Sequence, residues 1–310
     1  MTSQQPDPPL NPALILNGHS IHVEEAKAHI ARISAEFGVP AQIIVTRKGD
    51  NISQLAARAL GDGRHPVAAG GGDGTVNAVA GVLAGTAVAL GVLPMGTLNH
   101  FAKDAGVPRD LEAAVRNVFT GAVNSVDVGE VNGRVFVNNS GLGFYPHFVR
   151  IREDQERHGY VKRTAFVLAL RAMVRRYLRL RLKVHMDRAE ALEHVTPFLF
   201  VGNNRYQTAG LEIGTRSRLD SGLLWVCTAP HAADRNVVVV RVAVRTLLGR
   251  ETEAALNTLE VKEISIEPGT PRVNVSVDGE VTIMNAPLNY RIRPLALRVV
   301  APGRRVGPAS

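Results

Sequence analysis

Ala69-Gly70-Gly71-Gly72-Asp73-Gly74-Thr75-Val76-Asn77 is the stretch that decides how this chain is read. It lies between a short apolar run at 66–69 and an alanine-rich segment of helical character at 75–83, so the glycines sit where a strand turns into a helix. Consecutive glycines let backbone N–H groups close on phosphate oxygens with no Cβ in the way, and the helix adds the positive end of its dipole. In this arrangement Thr75 caps the helix and turns its hydroxyl to the same anion. The loop is not a Walker A loop, since no Gly-Lys-Ser/Thr follows, and it is not the Gly-x-Gly-x-x-Gly dinucleotide fingerprint. Glycines alone also allow a plain strand-to-helix turn with no ligand.

Around this loop the elements alternate. Residues 13–16 read as a buried strand, 23–37 as an amphipathic helix ended by Gly38 and Pro40, 42–46 as a β-branched strand, 53–60 as a helix and 87–93 as a further strand. Such alternation predicts a parallel α/β sheet with ligands at the carboxyl ends of its strands. Past residue 122 the texture changes. Segments 123–131, 134–139, 181–186, 197–201, 223–228, 260–266, 273–277 and 295–300 read as strands, interrupted by helical stretches at 160–177 and 233–248. Strands joined mostly by turns and loops predict an antiparallel sandwich or barrel-like domain. The expected organisation is an α/β domain over 13–121 and a mainly antiparallel β-sandwich over 122–302, with no internal repeat.

Length and charge agree with two domains. The chain has 310 residues, 45% hydrophobic and 21% charged, more than one minimal core needs. Its formal charge of +8 is unevenly spread: residues 1–130 carry nine basic and twelve acidic side chains, and all the excess lies in the remainder. A basic back half points to an anionic partner, whether membrane surface, nucleic acid or polyphosphate. Aromatic residues at 5% weaken a nucleic-acid reading built on base stacking. The single cysteine, Cys227, forms no intramolecular disulfide or thiolate cluster, which fits a reducing compartment. No signal peptide is visible in the polar, proline-rich start, and no run of about 18 apolar residues occurs; 164–174 comes nearest but carries Arg171. The expected location is cytoplasmic, with membrane contact only from the outside.

A second junction, Leu93-Pro94-Met95-Gly96-Thr97-Leu98-Asn99-His100-Phe101-Ala102, repeats the glycine-hydroxyl theme. In a parallel sheet two such neighbouring strand ends line one crevice. Gly-Gly-Asp-Gly-Thr-x-Asn followed about twenty residues later by Pro-x-Gly-Thr-x-Asn resembles the diacylglycerol kinase catalytic-domain family, which includes sphingosine, ceramide and bacterial soluble lipid kinases. The resemblance continues in Val126-Asp127-Val128-Gly129, in Phe136-Val137-Asn138-Asn139-Ser140-Gly141-Leu142-Gly143 and in Val277-Asp278-Gly279-Glu280, and so covers about residues 13–300.

The resemblance implies a fold similar to phosphofructokinase and NAD kinase. An α/β domain and a β-sandwich there enclose a cleft in which ATP gives its γ-phosphoryl group to a lipid hydroxyl, with Mg²⁺ as cofactor. Carried over by position, the nucleotide site comprises Gly71, Gly72, Asp73, Gly74, Thr75, Val76, Asn77, Gly96, Thr97 and Thr46. Thr46 is also a residue that a strand end holds for purely structural reasons. Glu280 is the general base on the acceptor hydroxyl, and Asp278 supports it or a metal-bound water. Asp-Gly between apolar runs is equally a hairpin signal. Asp73 and Asp127 are candidates to hold Mg²⁺ or its waters, and Asp220 for a second Mg²⁺.

Three departures stand out. The family's usual Asn-Pro after the first strand is Asn17-Gly18-His19-Ser20 here; its Asn-Asp-Phe-Ala is Asn99-His100-Phe101-Ala102; and an Asp-Gly-Leu turn becomes Leu219-Asp220-Ser221-Gly222-Leu223. Residues 162–183 hold eight basic and no acidic side chains, with Phe166, Leu170, Met173, Val174 and Tyr177 at helical spacing. This is either a helix lying on anionic lipid or a solvated face packed on the sandwich. A lipid substrate in a bilayer favours the first, hence peripheral membrane association. The alternatives are an NAD kinase-like enzyme, for which the expected Asn-Glu or Asn-Asp pair is missing, and a non-catalytic lipid- or nucleotide-binding module. The acceptor lipid and the oligomeric state, a homodimer included, are left open.

Overall fold

The computed structural model describes residues 10–143, 180–185, 192–196, 198–207, 215–228 and 256–302. The expected helices at 160–177 and 233–248, and with them most of the basic run, lie outside these residues. The chain divides into two compact units, Met1–Val128 with Pro294–Ser310, and Gly129–Arg293.

In the first unit β1 (Ala13–Leu16), α1 (Val23–Phe37), β2 (Gln42–Val45), α2 (Ile52–Gly61), β3 (Val67–Gly71), α3 (Asp73–Leu83) and β4 (Leu90–Pro94) alternate as expected. The strands are parallel in the order β2-β1-β3-β4. β1 and β3 are buried along their whole length, which is why they read as continuous apolar runs rather than alternating ones. Helix α1 buries Val23, Ala26, Ile30 and Ile33 and ends on Gly38 in the left-handed region (φ 64°), where its N–H reaches the carbonyls of Ala35 and Ser34. Two helices absent from the sequence expectations follow, α4 (His100–Asp104) and α5 (Leu111–Thr120). The second is capped by Asp110, whose carboxylate accepts from the Ala113 amide at 2.8 Å.

Then come β5 (Ala122–Val131), β6 (Arg134–Phe136), β7 (Asn139–Gly143), β8 (Leu180–His185), β9 (Leu192–Thr196), β10 (Phe198–Asn203), β11 (Leu224–Thr228), β12 (Asn257–Val261), β13 (Glu263–Pro268), β14 (Arg272–Val277), β15 (Glu280–Asn285) and β16 (Leu288–Ala301). In the second unit the first part of β16 continues antiparallel into β13, β8 and β9. A six-stranded antiparallel sheet runs β12-β11-β10-β7-β14-β15. This is the expected β-sandwich. Its core joins Phe136, Leu142, Leu199, Val201, Val226, Ile264, Ile266, Val275, Val277, Leu288 and Tyr290. The buried Tyr290 hydroxyl meets Ser140 Oγ at 3.1 Å, and burial pushes its pKa up.

Two expected strands are each two. The run 260–266 breaks at Lys262 because β12 pairs with β11 in one sheet while β13 pairs with β16 and β8 in the other. The run 134–139 breaks at Val137-Asn138, whose amides turn to Asp278. The division also differs from a second domain over 122–302. β5 runs through the boundary at 128/129 and β16 through that at 293/294, so the final residues return to the first unit. There Val299 pairs in parallel with Leu90, and Asn117 Nδ2 donates to the Val300 carbonyl at 3.0 Å.

Candidate active site

The carboxyl ends of the parallel strands in the first unit carry interlocked loops. Gly72 is the residue before α3, in extended conformation with no side-chain cap, and its carbonyl accepts the amides of Thr75 (3.0 Å) and Val76 (3.1 Å). Thr75 therefore lies inside the first turn, where the sequence had suggested a cap. Its side chain is buried and folds back on Gly71, where a Cβ would collide with it. The first amides of α3 have no partner within their own helix.

The neighbouring loop after β4 comes into backbone contact with this one: a Cβ on Gly96 would run into Gly72 Cα and stand 3.1 Å from its nitrogen. Asn99, in the left-handed region at φ 49°, clamps the turn by accepting the Gly96 amide (3.1 Å) and donating to the carbonyls of Gly96 (2.7 Å) and Pro94 (3.3 Å). Asp73 ties the two loops together. Its oxygens accept the first amides of α4, His100 and Phe101, each at 3.2 Å. Thr97 and His100, in the same segment, are exposed. At the end of β2 the buried Thr46 takes the Gly18 amide on its Oγ1 at 3.2 Å, and Ser20 Oγ donates to the Met95 carbonyl at 3.1 Å. The strand ends of β1, β2, β3 and β4 are thereby joined around the glycine loop.

The site fits an anionic, polar ligand on two observations. Gly72 and Gly96 bring the two loops into backbone contact at the start of α3, an arrangement that side chains on Gly71 or Gly96 would block. Asn77, 7% exposed, has a buried Oδ1 with no hydrogen-bond partner among the described residues, an acceptor facing a cost of about 1–3 kcal/mol until a donor meets it.

The fit to a protein-built Mg²⁺ site is poor. Asp127 is wholly buried rather than lining the site, and its Oδ1 accepts the Leu295 amide at 2.8 Å, fixing the return of β16 where Leu295 has φ 51°. Asp220 is held by Arg218 at 3.0 Å, and Ser221 gives its amide (2.8 Å) and its hydroxyl (2.5 Å) to Asn204 Oδ1. Among the described residues no group of three or more His, Cys, Asp or Glu side chains is arranged to hold a metal ion. In this structure a backbone amide engages Asp127 and Arg218 engages Asp220.

In the second unit Asp278-Gly279 is the turn of the β14–β15 hairpin, with φ 47° and 87°, as the Asp-Gly signal in the sequence allows. Asp278 Oδ2 accepts the Val137 amide and Oδ1 those of Asn138 and Asn139, all at 2.8 Å, while its own amide donates to the Asn139 carbonyl at 2.8 Å. It fixes the loop. Glu280 is exposed and pairs with Arg134 at 2.5 Å.

Burial pushes the Asp278 pKa from 3.8 up to about 6, against the three amides and Arg216, which hold it down. A carboxyl with its folded pKa above the unfolded one adds stability that is complete below the unfolded value and is lost as pH rises through the folded one. The free-energy difference between the protein and its Asp278→Asn variant should therefore shift by about 2.4 kcal/mol between pH 4 and pH 7, favouring Asp278 at the acid end. Urea unfolding at the two pH values measures it; a difference independent of pH would return the carboxyl to its ordinary range.

The residues that sequence reasoning missed are those behind the hairpin. Asn138 and Asn139 stand out in the sequence only as members of a longer motif, and Arg216, 4% exposed, lies in a segment with no periodicity to mark it.

Residues 12–131 match the diacylglycerol kinase catalytic domain, and residues 149–301 match the YegS C-terminal NAD kinase beta sandwich-like domain. The chain is 29% identical over 296 residues to a protein of Pseudomonas aeruginosa named "Probable lipid kinase YegS-like", covering 93% of each chain. It is equally 29% identical over 296 residues to a diacylglycerol kinase of Mycobacterium tuberculosis, again covering 93% of each. A crystal structure of a diacylglycerol kinase from Bacillus anthracis str. Sterne superposes with a TM-score of 0.72 at 19% identity, over 94% of this chain and 97% of that one, which shows the shared fold.

Proposed function

The chain belongs to the diacylglycerol kinase catalytic-domain family and is a lipid kinase, and from that premise we propose that it moves the γ-phosphoryl group of ATP to the free hydroxyl of a diacylglycerol-like, sphingoid or ceramide lipid. The observation that carries the nucleotide half is the Gly72–Gly96 approach. It leaves the first amides of α3 to meet phosphate oxygens, and Thr97, the residue after Gly96, is exposed. Asn77 Oδ1 is the acceptor for a donor group of the nucleotide. Glu280, exposed and oriented by Arg134, takes the proton of the acceptor hydroxyl as its oxygen bonds to the γ-phosphorus and the bond to ADP breaks. Mg²⁺ is proposed to arrive with the nucleotide, since this ion keeps waters and binds substrate phosphates, and when bound it neutralises phosphate charge.

The acceptor lies in a bilayer, and the eight basic residues between 162 and 183 support docking on an anionic membrane surface. Within the described residues Arg181 and Lys183 of this run lie on β8, Lys183 at 3.8 Å from Glu193, and no helix is long and apolar enough to cross a membrane.

The test is a lipid panel. Purified protein with γ-labelled Mg-ATP is given vesicles of phosphatidylglycerol carrying diacylglycerol, ceramide or sphingosine. Label is expected in one lipid class, with turnover falling as the vesicles lose their negative charge. Labelled NADP formed from NAD, or ATP bound with no transfer to any lipid, would overturn the reading.

A further inference from the structure

Val137 is held at both ends of its backbone by opposite charges. Its N–H donates to the Asp278 carboxylate at 2.8 Å, and its carbonyl accepts Arg216 Nη1 at 2.6 Å. The same guanidinium reaches the Asn203 carbonyl at 3.1 Å and, through Nη2, the Asn138 Oδ1 at 2.7 Å. Its central carbon lies 5.3 Å from the centre of the Tyr206 ring, whose hydroxyl accepts from Asn139 Nδ2 at 3.4 Å. Asn203 adds its own amide to the Val137 carbonyl at 2.9 Å, and Asn204, on Asn203 Oδ1 at 3.0 Å, anchors Ser221. The loop from Val137 to Asn139 is thus gripped from the guanidinium side and from the carboxylate side.

A buried guanidinium is expensive to desolvate, and a fully hydrogen-bonded one is kept where geometry matters more than net stability. Here the geometry is that of the hairpin turn. Asp278 and Gly279 both have positive φ, and Glu280 is the next residue. The turn's position rests on three amides that belong to the loop Arg216 holds.

We infer that Arg216 is a positioning residue for phosphoryl transfer: it fixes the Val137–Asn139 loop, through that loop Asp278, and through Asp278 the carboxylate of Glu280. The inference rests on the assignment of Glu280 as base and adds to it a residue that touches neither nucleotide nor lipid. It also gives the Asp220-Ser221-Gly222 segment a role. Ser221 is bonded into this network through Asn204.

The test compares Arg216→Gln, Arg216→Lys, Glu280→Gln and the double variants in the lipid-phosphorylation assay, with folding checked by thermal melts. Arg216→Gln is expected to lower kcat by about 10²-fold, as a displacement near 1 Å does, with KM for ATP within about twofold of the parent. Arg216→Lys keeps the charge but not the planar fork, and should recover about tenfold of the loss. In the Glu280→Gln background neither change should lower kcat further, because the group being positioned is already gone. If Arg216→Gln does not fold, Arg216→Lys carries the same comparison. Near-parental kcat in a folded Arg216 variant, a loss confined to KM, or an undiminished loss in the Glu280→Gln background would each overturn the inference. Near-parental turnover of Glu280→Gln itself would instead remove Glu280 as base.

Discussion

Glu280→Gln is expected to lower kcat by about 10²–10⁴-fold, the range over which a positioned general base contributes. The change is nearly isosteric, so it separates proton transfer from packing. Glu280 is the first residue of β15 and its side chain is 62% exposed; the strand's ladder to β14 is made by backbone groups that glutamine leaves untouched. What the change removes is the charge pair with Arg134, an exposed contact of a kind that contributes about 1 kcal/mol or less. The thermal midpoint should therefore stay close to that of the parent. The proposed phosphate site lies at 17–20, 46, 71–77 and 95–101, apart in sequence from the hairpin, so KM for ATP should change by no more than about twofold, which places the loss in the chemical step. Steady-state kinetics on the preferred lipid measures it. A kcat within twofold of the parent would leave Glu280 a hairpin residue and nothing more.

What the sequence could and could not disclose follows from how far apart the interacting residues stand. The parallel strands and the helices between them are legible because their signals are local: apolar runs at β1 and β3, the 3.6-residue spacing of Ala26, Ile30 and Ile33, and Gly38 at a helix end. The glycine loop is legible because its function lies in what is missing, the side chains. Asp127 misleads for the opposite reason. A carboxylate between two valines reads as a site residue, but its partner is the amide of Leu295, 168 positions away. The break at Lys262 is invisible because the residues on either side suit a strand equally well, and only pairing tells that they belong to different sheets. Arg216 carries no pattern at all, since its role is set by acceptors at 137, 138 and 203.

The three aspartates singled out in the family motifs share one physical role. Asp73 accepts two amides at the start of α4, Asp127 one at the return of β16, and Asp278 three where the chain enters β7. An ionised carboxylate is the strongest acceptor a side chain offers to backbone N–H, and it holds irregular loops that secondary structure cannot hold. For two of them the residues held flank a proposed site residue: Gly96 and Thr97 beside α4, and Glu280 after the hairpin turn. The proposed site is thus made largely of backbone whose shape is fixed by charge placed behind it.

Gly96 is where that construction is least tolerant. In Gly96→Ala the new Cβ would run into Gly72 Cα, stand 3.1 Å from Gly72 N and 2.9 Å from Asn99 Oδ1. None of these atoms is the free end of a flexible chain. Gly72 is pinned by the amides of Thr75 and Val76 on its carbonyl, and Asn99 by its three bonds to Pro94 and Gly96. The two loops must part, and overpacking of this kind costs about 1–3 kcal/mol where the structure can adjust at all. Parting them also opens the proposed phosphate site, so KM for ATP should rise by about tenfold or more, the effect of losing roughly 1.4 kcal/mol of phosphate contact. Gly81→Ala is the matched control: Gly81 lies on α3 with nothing within 4 Å of the added Cβ, and alanine there should stabilise by about 0.5–1 kcal/mol with KM unchanged. Thermal melts and ATP titrations on the pair give the answer. If Gly96→Ala melts and binds like the parent while Gly81→Ala behaves as stated, the close approach of the two loops is not what shapes the nucleotide site.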